Sequence, residues 1–182
     1  MYLGDEGQTP SPFSSAPGVV SSISGGDQGI YETINRMIGL VHEAMRDRRV
    51  KHWAAKMVMG LRVADKAGQV EAIKSFVQSR FNFIADTAGV EELVSPILML
   101  RDLEDRNYLI GDCDDLSMLL AALVRAVGIP ARFQVSGFKP DSKGIVQYTH
   151  VGCQAFIKGV YISMDFLPAG SRIPSRTAAW EI

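Results

Sequence analysis

Apolar residues take up a helical period at Ile30. Ile30, Ile34, Met37, Ile38, Val41 and Met45 recur three or four residues apart along one stripe, the pattern of an amphipathic helix. Before that point, residues 1–29 are rich in Gly, Ser and Pro, with isolated apolar positions and no period. Such a stretch cannot offset its own ordering entropy. The pattern therefore predicts a flexible arm over 1–29 and a single folded domain over 30–182, with its core at about 68–170. A second helix is predicted from Val70, Ile73, Phe76, Val77 and Arg80, opening after Gly68 and closing before the Phe-Asn-Phe cluster at 81–83. In VEELVSPILML, Pro96 suits the first turn of a short helix.

The helix predicted after Gly111 is different, because Leu116, Met118, Leu119, Leu120, Leu123 and Val124 leave it few polar positions. A helix apolar nearly all round must be central and buried. Gly128 ends it, with Pro130 shortly beyond. A strand is expected from Ala131 to Phe138, then a polar loop, then strands over roughly 148–157 and 160–167 joined by Lys158-Gly159 as a hairpin turn. Helices first and strands afterwards argue for an α+β fold rather than repeated βαβ units.

Composition narrows the function. The chain has 182 residues, 19 Lys and Arg against 20 Asp and Glu, and no field that would hold nucleic acid or an anionic membrane. The basic stretch RDRRVKHW at 46–53 is interrupted by Asp47 and reads as a solvated helix face, or as a docking patch for an acidic partner. The start, MYLGDEGQTP, lacks the build of a secretory signal, and the longest apolar run is broken by Arg125 and Pro130, so no membrane span is expected. Cys113 and Cys153 form no disulfide framework and match no zinc spacing, which fits a reducing, cytoplasmic setting.

Cys113 heads the buried helix, where free backbone N–H groups favour a thiolate and help bind an oxyanion. The helix end contributes about 0.3–1 kcal/mol, whereas taking a thiol from pKa about 8.5 to about 4 needs roughly 6 kcal/mol. Asp112, Asp114 and Asp115 would oppose the shift and are expected to point away, toward solvent or capping contacts. Activation must then come from a histidine. His42 and His52 read as surface residues of the N-terminal helix, while His150 opens a strand whose partner carries Asp165. With an even turn, Gly152 lies opposite Asp165 and His150 opposite Leu167, so His150 and Asp165 share a face as diagonal neighbours roughly 7–8 Å apart at the backbone. An odd turn would separate them. Both residues fall on the less apolar face of the hairpin, so either both faces are covered or His150 sits at the sheet margin. Base and orienting carboxylate are the partners that a nucleophilic thiol requires.

The stretch GDCDDLSMLLAALVRAVGIPARF resembles the cysteine motif of the transglutaminase-like superfamily, a Gly-x-Cys-x-Asp start leading through an apolar helix to Gly-Ile-Pro-x-Arg. THV and MDFLP resemble that superfamily's histidine and aspartate strands, and the resemblance spans roughly 68–170, nearest to small bacterial and bacteriophage members. It implies a papain-like fold with Cys113 as nucleophile, His150 as general base and Asp165 orienting it, acting on a peptide or glutamine-type amide through a thioester. Asn107 or Tyr108 would add an oxyanion donor to the Cys113 N–H, and no cofactor or metal is implied. Where relatives carry an aromatic and an acidic residue after the histidine, this chain has Gly152 and Gln154. That departure keeps a second expectation open: a catalytically silent structural or adaptor protein, virion-associated, binding assembly partners through the arm 1–29 and helix 30–60. Metal binding by Asp112, Cys113, Asp114 and Asp115 is disfavoured, since hard carboxylates and a soft thiolate suit no common ion and successive residues at a helix start diverge. Cys153 reads as a small core residue.

Overall fold

Helix α5 (Cys113–Ala126) is the axis of the molecule, and every residue from Asp114 to Val124 is buried. The computed structural model describes residues 19–21, 26–86, 91–166 and 173–182. Among the described residues four helices precede the axis, α1 (Gly26–Ala44), α2 (Arg48–Met57), α3 (Lys66–Gln78) and α4 (Pro96–Arg106), and all four pack on α5. Strands β5 (Ala131–Gly137), β6 (His150–Ile157), β7 (Val160–Ser163) and β8 (Arg176–Glu181) form an antiparallel sheet in the order β7-β6-β5-β8, with β5 and β6 lying on α5. This is an α+β fold with a central buried helix on an antiparallel sheet.

Alternation explains which sheet face meets the helix. Ala131, Phe133 and Val135 of β5 and Val151, Cys153, Ala155 and Ile157 of β6 are all buried against α5, Cys153 as the small core residue expected. The opposite face carries Arg132, whose Nε donates to Gln154 Oε1 at 2.7 Å and whose guanidinium lies 3.8 Å from the Tyr161 ring centre. Phe156 on that face is 37% exposed. The polar face is thus partly solvated, and His150, the first residue of β6, occupies the sheet margin.

The β6–β7 hairpin has the even turn. Lys158 and Gly159 both take positive φ, 51° and 88°, as a two-residue turn matching the strand twist demands. Ile157 pairs with Val160 and Gln154 with Ser163, and Met164 N–H continues the ladder to the Cys153 carbonyl at 2.9 Å. Leu167, the expected partner of His150, lies outside the described residues.

Other boundaries differ from the expectation for local reasons. Helix α1 begins at Gly26 rather than Ile30; the rest of the predicted arm is described only at 19–21, where β1 (Val19–Ser21) pairs with β3 (Glu91–Leu93). The expected helix over 30–60 is two helices, because Asp47 caps α2 by accepting from Arg49 N–H at 2.6 Å and Val50 N–H at 3.4 Å. The residue that interrupts the basic run therefore starts a helix. Asp65 likewise caps α3, which opens before Gly68. Helices do not simply precede strands: β2 (Phe81–Phe83) pairs in parallel with β4 (Leu109–Gly111) between the helices. Three-residue strands are too short for a period to reveal, and β8, with the sequence RTAAWE, has too few apolar residues to alternate clearly. No helix among the described residues is long and apolar enough to cross a membrane.

Candidate active site

The turn from β4 into α5 places Cys113 by a reciprocal cap. Asp112 Oδ1 accepts from Asp114 N–H at 3.0 Å and Asp115 N–H at 3.4 Å, while Asp115 Oδ2 accepts from Asp112 N–H at 3.4 Å. Asp115 also accepts from Val94 N–H at 2.8 Å, fastening the chain before α4 to the head of α5. Burial, then the Asp112 charge, raise its carboxyl well above the usual range. Gly111 permits this approach, since a Cβ there would stand 2.7 Å from both Cβ and Oδ2 of Asp115.

The expectation that the aspartates turn away from the thiol holds for Asp115 and fails for Asp112 and Asp114, which stay close to the sulfur. Asp114 is buried, and Cys113 Sγ–H donates to its Oδ1 at 3.3 Å. Burial pushes the Cys113 thiol strongly up, and the Asp114 and Asp112 charges push it further; the Val151 N–H, directed at the sulfur, acts in the opposite sense. Ser117, one turn along α5, donates to the Val151 carbonyl at 3.2 Å. The Ser117–Val151 hydrogen bond thus ties the start of β6, and with it His150, to the first turns of α5.

His150 Nε2 and Asp165 Oδ2 are hydrogen-bonded, and only 9% and 7% of the two side chains remain exposed. The even register and Gly152 make this contact available. Gly152 lies between them on the same face, and a Cβ there would stand 3.3 Å from Asp165 Oδ2. With Nε2 engaged by the carboxylate, Nδ1 is the ring nitrogen left for a thiol proton.

Cys113 and His150 line one cavity of about 450 Å³. Asp112, Asp114 and the segment Gln147–Val151 contribute its polar side, and Ile30, Ile34 and Met37 of α1 face them. The participation of α1 had no signal in the sequence, because its apolar stripe reads as core alone. Asn107 and Tyr108 do not line this cavity; Asn107 is the left-handed C-cap of α4, with φ 62°, and both residues are exposed. His42 and His52 do not line it either.

Contrary to the expected divergence, one ligand atom from each of Asp112, Cys113 and Asp114 lies within 4.8 Å of the others. The Asp112 carboxylate serves the cap and that of Asp114 the thiol contact, and two carboxylates with one thiolate remain a mixed hard and soft set.

A cysteine at the head of a buried central helix, facing a histidine and aspartate at the margin of an antiparallel sheet, defines a papain-like α+β scaffold. The profile of the Transglutaminase-like superfamily matches residues 51–166, and the chain belongs to that superfamily. No match is found among curated proteins. Solved structures share the fold, two of them as follows. One is described as a "putative protease" from Parabacteroides distasonis, with TM-score 0.57 and 12% identity over 75% of this chain and 26% of the other. The second is described as a "putative cysteine protease" from Cytophaga hutchinsonii, with TM-score 0.51 and 18% identity over 81% of this chain and 51% of the other. The chain thus spans about a quarter and about half of the length of these two neighbours.

Proposed function

We propose that the protein is a cysteine-dependent enzyme that transfers or hydrolyses the acyl group of a peptide or glutamine-type amide. The observation that carries this reading is that His150, hydrogen-bonded to Asp165, lines the same cavity as Cys113. The resting thiol is neutral, so attack is general-base assisted: the Sγ–H proton passes to His150 Nδ1 as sulfur bonds to the carbonyl carbon. Asp165 holds the ring through Nε2 and stabilises the imidazolium. The Cys113 N–H, a first-turn helix donor, faces the developing oxyanion. Collapse breaks the C–N bond, and the amine leaves with the proton from His150. Water or a second amine then attacks the thioester and returns the proton to sulfur.

Support for the class comes from superfamily membership, and the cavity suits a peptide side chain or short segment. Cys113→Ala is expected to abolish both iodoacetamide labelling and amide turnover, with Cys153 silent because it is buried. Turnover that survives in this variant contradicts the proposal. One observation favours a second reading, that of a catalytically silent module: Asp114 holds the thiol proton in the resting state. Absence of turnover by the folded protein, across a peptide and glutamine-amide library, is the outcome that reading predicts.

A further inference from the structure

The superfamily match spans residues 51–166, yet the cavity over Cys113 is walled by α1, outside that span. Ile30, Ile34 and Met37 fall on one stripe of the helix. Ile34 and Met37 are buried, whereas Ile30 is only partly so and borders the open space. The N-terminal end of α1 is fastened by one arginine of β8, also outside the matched span. Arg176 Nη1 and Nη2 donate to Asp27 Oδ1 and Oδ2 at 3.1 and 2.7 Å. The same guanidinium donates to the Val146 carbonyl at 3.3 Å and lies 4.3 Å from the centre of the Tyr148 ring. Tyr148 lines the cavity just before His150. A second contact joins the same two elements, Tyr31 of α1 meeting Trp180 of β8 edge-on at 5.6 Å. Helix α1, strand β8 and the chain leading into His150 are therefore tied together beside the site.

We propose that α1 is the substrate-selecting wall of this cavity: Ile30, Ile34 and Met37, together with Val135, form a subsite for an apolar side chain of the substrate peptide, and the Arg176–Asp27 clamp holds that wall closed against bulkier groups. The inference rests on the reading of Cys113 as the nucleophile, because the occupant is the segment that must lie in the cavity for its amide to reach the sulfur. A space of about 450 Å³ takes one or two side chains and not a folded loop. The wall is selective because its apolar stripe rewards apolar occupants and leaves a charged one without a partner on that side. The clamp is bidentate but half-exposed, so it is strong enough to bias the wall and weak enough to yield.

The test reads access to the thiol without needing a substrate. Rates of Cys113 alkylation by iodoacetamide and by pyrene maleimide are measured by intact mass, and their ratio reports how much room the wall leaves. Arg176→Gln and Asp27→Asn are each expected to raise the maleimide rate relative to iodoacetamide about threefold, the size of an exposed ion pair. Ile30→Trp, which fills the subsite from a partly exposed position, is expected to lower that ratio about fivefold while iodoacetamide still reacts. Thermal unfolding of each variant establishes that it is folded. An unchanged ratio in the clamp variants or in Ile30→Trp overturns the inference. Failure of the nucleophile reading shows elsewhere, as turnover that survives Cys113→Ala, and leaves the labelling ratios untouched.

Discussion

Burial holds the Cys113 proton on sulfur, and the Asp114 carboxylate beside it adds to the effect. A thiol whose folded pKa is raised stays neutral beyond the value of the unfolded chain. Its alkylation, which follows the thiolate fraction, should therefore still be climbing at pH 9, and fold stability should decline as pH rises past the unfolded thiol's value of about 8.5. Asp114→Asn removes one opposing charge, shifts the climb to lower pH and raises the iodoacetamide rate at pH 8 by about tenfold. An unchanged profile would mean that Asp114 does not govern the thiol. At this scale the candidate triad was legible: Cys113 stood out at a helix start, and arithmetic on an even turn put Asp165 beside His150. The burial of Asp114 was not, because a carboxylate at a helix start reads equally well as a cap, and capping is what Asp112 and Asp115 do. The expected donor Asn107 instead caps the end of α4 with a left-handed backbone, which its place in the sequence did not signal.

The turn that carries the thiol depends on one buried carboxylate. Asp115 closes the cap on Asp112 and receives the buried Val94 N–H, so Asp115→Ala loses a cap and leaves a donor unsatisfied. The expected loss is about 2–4 kcal/mol of stability, read by urea or thermal unfolding. A loss under about 0.5 kcal/mol would show that the cap is dispensable. The hairpin offers a change of opposite sign. Lys158 sits at φ 51°, a conformation that asparagine tolerates better, and Lys158→Asn should stabilise the fold by about 0.5 kcal/mol. Elements with a strong pattern, α5 and β5 to β7, could be read from the chain because burial of one face imposes a period. The short strands β1 to β4 and the sparsely apolar β8 are held by pairing to neighbours distant in sequence, and a local pattern carries no trace of such partners.

Across the whole molecule, the α+β class was expected from helices preceding strands, and it holds although β2 and β4 interleave with the helices, while the apolar sequence of α5 marked it as the buried axis. What the pattern could not convey is that α1 and β8 meet beside the site, since Asp27 and Arg176 come from opposite ends of the described chain. The account turns on Cys113, His150 and Asp165 acting as one unit, and acylation tests that unit most directly. Wild-type protein and the His150→Ala variant are incubated with a peptide-acyl p-nitrophenyl ester, and the acyl adduct is followed by intact mass and located by proteolysis. The adduct is expected on Cys113 alone, formed at least about 100-fold more slowly in His150→Ala, the usual contribution of a general base. Equal rates in the two proteins, or an adduct at another residue, would contradict the account.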